Sequence, residues 1–414
     1  MGDLEIRQLT GEDWPEVLEV SAIAFGEEYT DDDSRAFRLT FPFDRAVGAV
    51  ERGKIVGTSA VLPFELTLPG RVSVPMGGVT RVAVLPTHRR RGILRRLMQE
   101  MFVDMSRHGE LVAALFASEG SIYGRFGFGP AASAIAFNLE RPLAGFASFA
   151  GRASGRIYLL DAGAAASQLP AIYESPRLLQ PGATNRPTDW WNSYLADPPF
   201  QREGMSRLYH AVHVDEAGLA DGYVSYRLKQ NWVGEGAMNQ AGVVELVAAD
   251  ANSYRALWEY VLETDLVKTI TCWRGRVDEP LRWLLADPRR FNVQALFDNL
   301  WLRVLDVPRA LSARAYGRPG DLVLEIESHV ATSDSERFRL QVEKTGIPGV
   351  GCAATSGSPD LVLGMVELAA VYLGGVTFAA LAEAGRIREM TPGTIELADA
   401  MFRARTAPFC STDF

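Results

Sequence analysis

The sequence predicts two α/β domains of one type in tandem, followed by an α+β domain that closes the chain. Length is the first observation: 414 residues are too many for one ordinary core, since domains average roughly 150 residues. Repetition is the second. A strand-helix-strand order fills the first third and recurs in weaker form from Gly222 to Asp287. The third is a change of texture near Leu300, where short alternating segments give way to helical ones.

In the first part, Glu5 to Leu9 reads as a strand, and Thr10 offers an N-cap to a helix reaching about Phe25. An acidic loop carrying Glu27, Glu28, Asp31, Asp32 and Asp33 is expected next. Ala46 to Val50 and Ile55 to Leu62 flank the turn "ERGK" and predict a hairpin. The strand "GGVTRVAVL" then leads through "PTHRRRG" into a helix from near Ile93. Its apolar residues Leu94, Leu97, Met98, Met101, Phe102 and Met105 recur at steps of three and four, so they share one face. The strand "LVAALFASE" and the segment "GSIYGRFGFGP" follow.

The echo consists of strands "GYVSYRLKQNW" and "GVVELVAAD", a helix "ANSYRALWEYVLETDL", a strand "VKTITCW" and a short helix "EPLRWLLAD". No basic, glycine-containing loop sits at the matching turn, so a duplicated fold whose second copy lost a ligand loop is the reading. In the last part "GDLVLEIE", "ERFRLQVEK" and "GVGCAATSG" alternate as strands, and the run "SPDLVLGMVELAAVYLGG" reads as a helix ended by its Gly pair. These readings give domains at 1–148, 149–298 and 299–414, with the first break near Phe146 to Gly155.

Composition removes several function classes. A 47% hydrophobic, 22% charged chain is ordinary for a globular protein and not for a disordered one. No run of about 20 apolar residues marks a membrane span, and Met1 to Thr10 lacks the pattern of a secretory signal, so the cytoplasm is expected. Cys272, Cys352 and Cys410 are odd in number and far apart, which argues against disulfides and thiolate metal sites. The histidines are equally scattered, and no metal site is expected. A net charge of −9 disfavours nucleic acid and acidic membranes as partners and favours cationic small molecules or peptides.

Against that acidic background, Arg81 to Arg96 holds six arginines and no acid. An anionic ligand and a solvated surface both explain such a cluster. Arg89, Arg90, Arg91 and Gly92 stand where a strand becomes a helix, and there free N–H groups and the positive end of the helix dipole favour phosphate. No Gly-Lys-Ser/Thr follows, and the pattern is not G-x-G-x-x-G.

The segment "RVAVLPTHRRRGILRRLM" resembles the signature of the GCN5-related N-acetyltransferase (GNAT) superfamily: a V-x-V strand, here Val82, Ala83 and Val84, before a loop and helix start of pattern R/Q-x-x-G-x-G/A. Leu94 departs from the small residue usual at the last position. The resemblance implies tandem GNAT folds, each a mixed central sheet flanked by helices, and acetyl-coenzyme A as co-substrate. By carry-over, Val82, Ala83, Val84, Arg90, Arg91, Gly92, Ile93, Leu94 and Arg95 line it, with Ser118 and Glu119 at the end of the next strand. With "ASEGSIYGRFGFGPA", "LDVPRAL" and an aromatic chain end, the whole sequence resembles the Eis (enhanced intracellular survival) branch. That branch adds a domain similar to sterol carrier protein, and the resemblance implies a homohexamer.

Acetyl transfer to an amine needs the amine neutral and a proton for the departing thiolate. An amine of pKa ~10.4 requires a proton acceptor, and a phenol of pKa ~10 can reprotonate a thiolate of pKa ~8.5. Read from its own segment, Tyr123 is a packing partner of Phe126 and Phe128; by resemblance it is the acid. Resemblance also makes the terminal carboxylate of Phe414 the base, and its ordinary pKa of ~3.5 implies relay through water. Phe25, Glu28 and Asp413 are the candidate substrate contacts. The acids of 27–33 and Asp413 would draw in a polycation, or are simply solvated. The resemblance points to aminoglycosides or polyamine-like amines, with protein lysines or non-catalytic acyl-coenzyme A or lipid binding as alternatives.

Overall fold

The computed structural model describes residues 4–148, 151–234, 236–327, 335–345 and 349–414. The first part runs β1 (Leu4–Gln8), α1 (Trp14–Phe25), α2 (Asp31–Leu39), β2 (Ala46–Glu51), β3 (Lys54–Leu68), β4 (Val72–Val84), α3 (Ile93–Arg107), β5 (Val112–Leu115), α4 (Gly120–Tyr123) and β6 (Gly129–Pro130). The second runs β7 (Ser133–Glu140), β8 (Arg156–Leu160), α5 (Ala162–Arg177), α6 (Thr188–Ala196), β9 (Tyr209–Val214), β10 (Ala220–Lys229), β11 (Trp232–Val233), β12 (Gly236–Ala237), β13 (Asn239–Ala248), α7 (Ala251–Glu263), β14 (Val267–Arg276), α8 (Leu281–Leu284) and β15 (Asn292–Asp298). The third runs β16 (Trp301–Val304), α9 (Val307–Ala313), β17 (Gly320–Glu327), β18 (Glu336–Val342), β19 (Val350–Ala354), β20 (Leu361–Gly364), α10 (Met365–Val371), α11 (Phe378–Glu383), β21 (Ile387–Glu389) and α12 (Thr394–Phe402).

Two readings of the sequence need correction. Asp31 to Asp33 form the first turn of α2, not a loop, because Thr30 and Asp33 close a capping box in which the Asp33 carboxylate accepts the Thr30 N–H at 2.8 Å. The apolar run after Ser358 is not one helix. Its first residues are β20, pairing in parallel with β17 from Leu324↔Leu361 to Glu327↔Gly364. The helix begins only after Gly364, whose N–H donates to Glu367 at 3.0 Å.

Three sheets result. The first has the order β1-β2-β3-β4-β5-β16-β6 and the second β15-β7-β14-β13-β10-β9-β8. Each has four antiparallel strands, then one parallel junction, β4 with β5 and β13 with β14. The third sheet is β19-β18-β17-β20-β21. The first two exchange strands: β7 follows β6 in the chain but pairs with β14 and β15, while β16 follows β15 but pairs with β5 and β6. Contacts therefore divide the chain into Met1–Ala132 with Pro181–Asn185 and Asn299–Phe414 as one unit, and Ser133–Gln180 with Arg186–Asp298 as the other. The first change of unit falls after Ala132, where β7 leaves for the second sheet.

In the first sheet α1 and α3 each bury an apolar face. Trp14, Val17 and Val20 of α1 pack with Ala60 and Ala83, whereas Met98, Met101 and Met105 of α3 pack with Val61, Val79 and Ala113. Each buried valine or methionine side chain among these contributes roughly 1.5–3 kcal/mol. Val79 and Ala83 lie four residues apart on β4 yet serve opposite faces. Regular alternation forbids this, so the strand carries an extra residue between them. Among the described residues, no helix is long and apolar enough to cross a membrane.

Candidate active site

The extra residue is visible in the register. Thr58 pairs with Ala83 and Ala60 with Thr80, so Arg81 and Val82 together oppose Ser59. Arg81 takes a left-handed φ of 52°, and its carbonyl accepts the Thr58 hydroxyl at 2.8 Å. Beside this bulge the sheet opens. The parallel ladder between β4 and β5 runs only from Met76↔Val112 to Gly78↔Ala114, leaving the later backbone of β4 without a strand on that side among the described residues. A cavity of about 300 Å³ fills the gap, lined by Val79 to Val82, Leu115 to Ser118, Phe25, Tyr123 and Phe414.

At the outer end of β4 the loop turns through Arg90 (φ 62°) and Gly92 (φ 80°) into α3. Gly92 is the N-cap and supplies no side-chain cap. The first helical bond runs from Arg96 N–H to Gly92 O at 3.2 Å, so the preceding N–H groups face outward at the positive end of the dipole. The arginines divide by partner. Arg91 pairs with Glu51 at 2.5 Å, and with His88 it holds that carboxylate down to about 2. Arg89 donates to the carbonyls of Val84 and Ala24. Arg96 donates to Leu4 O, and Arg81 lies 4.2 Å over the Phe37 ring. Arg90 and Arg95 are exposed and have no side-chain partner among the described residues. Ile93 is buried with Ala49, Val56 and Leu97, and Ala83 is buried toward α1, so both present only backbone to a ligand.

Tyr123 is 6% exposed and packs edge-on to Phe128 at 6.2 Å; the packing role coexists with a place in the cavity wall. Burial pushes its phenol above the ordinary value, against a hydrogen bond with Ser118. Phe414 is seated between Phe64 and Phe116, each at a ring separation of 5.1 Å. Gly78 makes room for it: a Cβ there would come within 3.0 Å of the Phe414 ring and 2.8 Å of Phe64. Phe25, the last residue of α1, also lines the cavity. Among the described residues lining it are neither Glu28, Asp413 nor Glu119, all exposed. Val79, Thr80, Arg81, Leu115, Phe116 and Ala117 were not among the site residues the sequence pointed to. Only Arg81 gave a signal, as one member of the basic cluster.

The second sheet repeats this plan with one decisive change. Its α7 follows β13 and precedes the parallel β14, as α3 stands between β4 and β5. Here the helix start is filled from within: the Asp250 carboxylate accepts from the N–H groups of Asn252 at 2.9 Å and Ser253 at 2.8 Å. An internal anion occupies the place where a phosphate would bind.

Residues 5–131 match the acetyltransferase (GNAT) domain family, 182–304 match a second family of that description, and 307–411 match the sterol carrier protein domain family. An uncharacterized N-acetyltransferase of Streptomyces griseus is 37% identical over 375 residues, 89% of each chain. N-acetyltransferase Eis of Mycobacterium tuberculosis is 33% identical over 400 residues, 95% of each chain. The chain belongs to the Eis family of N-acetyltransferases. Eis1 of Mycobacterium abscessus, a crystal structure, superposes with a TM-score of 0.87 at 34% identity, covering 99% of this chain and all of that one. Eis membership makes the protein an acetyltransferase, and the GNAT fold implies acetyl-coenzyme A as its donor. The second GNAT match ends on β16, which continues the second copy in sequence but pairs in the first sheet.

Proposed function

We propose that the protein acetylates a primary amine in the opening between β4 and β5, with Tyr123 as general acid and the α-carboxylate of Phe414 as the proton acceptor. The observation that carries this is the meeting of Tyr123, Phe414 and the unpaired edge of β4 in one cavity. Acetyl-coenzyme A supplies the acetyl group as a thioester, whose departing sulfur needs a proton. The N–H groups at the start of α3 hold the pyrophosphate, aided by Arg90 and Arg95, and the backbone of Val82 to Val84 holds the pantetheine arm as an added strand would. The Tyr123 phenol, kept protonated by burial, donates to the sulfur. The neutral amine attacks the thioester carbon; as the C–N bond forms and the C–S bond breaks, the nitrogen becomes acidic and gives its proton through a water to the Phe414 carboxylate.

The family resemblance directs the acceptor toward aminoglycosides and polyamine-like amines, with the exposed acids Glu27, Glu28 and Asp413 as long-range attraction. It also supports a cytoplasmic homohexamer. Acetylation of protein lysines is the competing enzyme reading, and acyl-coenzyme A or lipid binding without turnover the competing non-enzyme reading. Coenzyme A release is measured over a panel of spermidine, kanamycin and a lysine-rich peptide. Turnover of the small amines supports the proposal; turnover of the peptide alone favours the lysine reading, and no release with any acceptor defeats both.

A further inference from the structure

We infer that Asn299 is a positioning residue for the reaction: its side-chain amide clamps the C-terminal tail so that Phe414 stays in the cavity wall. This rests on the proposed role of the Phe414 carboxylate. The tail after α12 has no helix or strand from Arg403 onward, and a chain end of that kind normally frays. Ordering each residue costs roughly 1–2 kcal/mol, so a terminal group meets a reacting atom only if the tail is anchored. Here it is deeply seated: Cys410 and Thr412 are wholly buried.

The Asn299 side chain, 2% exposed, engages both backbone groups of one tail residue. Its Nδ2 donates to Cys410 O at 3.1 Å, and its Oδ1 accepts from Cys410 N–H at 2.8 Å. One amide thus does for Cys410 what a partner strand would do. Asn299 is itself fixed where the chain enters β16: its N–H donates to Ala132 O at 2.9 Å, while Leu300 O accepts from Ala131 and Ala132. A second backbone bond, Phe409 N–H to Pro181 O at 2.8 Å, holds the residue before Cys410. Phe414 lies four residues beyond the clamp, a reach of roughly 14 Å at most. The side chain that completes the clamp belongs to a residue with no place in the cavity wall.

The expected consequence is a defect in turnover and not in donor binding. In full-length protein, Asn299→Ala lowers kcat with spermidine at least 10-fold and leaves the KM for acetyl-coenzyme A within twofold. Asn299→Asp, which keeps the acceptor for Cys410 N–H and loses the donor to its carbonyl, falls between. Removing Phe414 also lowers kcat, and Asn299→Ala added to that deletion causes no further loss, because both act through one carboxylate. Independently of activity, carboxypeptidase releases Phe414 at least 10-fold faster from Asn299→Ala than from wild type. Unchanged release by carboxypeptidase, or losses that multiply in the double variant, overturns the clamp. If deletion of Phe414 leaves turnover intact, the role proposed for the carboxylate fails, and the release assay still decides whether Asn299 holds the tail.

Discussion

Tyr123 is required to donate a proton, and its surroundings suit it to that. Burial raises its pKa, so the phenol stays neutral past the pH of ~10 at which a free tyrosine ionises. The alkaline limb of a kcat profile assigned to this group should therefore lie above pH 10. Tyr123→Phe keeps the ring against Phe128 and removes the proton; kcat should fall about 100-fold, the lower end for loss of a general acid, with thermal stability unchanged. The arginines give a graded test. Arg90 and Arg95 have no side-chain partner among the described residues, so alanine at either should raise the KM for acetyl-coenzyme A about 10-fold, as expected for a lost charged hydrogen bond of about 1.5 kcal/mol. The same change at Arg91, engaged by Glu51, should do less. The sequence made the cluster conspicuous but put Arg91 beside Arg90 and Arg95 as a cofactor contact. Which of them are free depends on Glu51, Leu4 and Ala24, residues far away in the chain that no local pattern names.

At the scale of the element, the strand-loop-helix clamp was legible because each part has a local signature: alternation in β4, a glycine at the turn and a spaced apolar face on α3. The bulge had none, since one extra residue shows only as a change of facing between Val79 and Ala83. The capping box that makes Asp31 to Asp33 helical is present in the sequence as Thr30 and Asp33, but a run of acids masks it. The strand β20 was hidden in an apolar run whose spacing suits either state. The setting of α3 depends further on Arg45, which donates to Asp104 at 2.7 Å and to the buried Glu110 at 2.7 and 2.9 Å. Arg45→Met strands the Glu110 carboxylate and should cost about 3–5 kcal/mol, read from urea unfolding. Adding Glu110→Leu should recover most of it.

For the whole molecule, the tandem plan could be read from order alone, whereas the exchange of β7 and β16 could not, because a strand's pattern records its burial and not its partner. The two copies also differ in what their helix starts accept: α3 offers open N–H groups, and α7 is closed by Asp250. Calorimetric titration of the full chain should therefore find one coenzyme A site per protomer; two would contradict the reading of the second copy. The tail joins the third part of the chain to the chemistry of the first, and on it the central claim depends. The most direct measurement appends a few glycines after Phe414, which moves the carboxylate and leaves every side chain in place, and compares coenzyme A release and coenzyme A affinity with the unextended chain. The account predicts turnover lower by about 100-fold with affinity unchanged. Full turnover in the extended chain would contradict it.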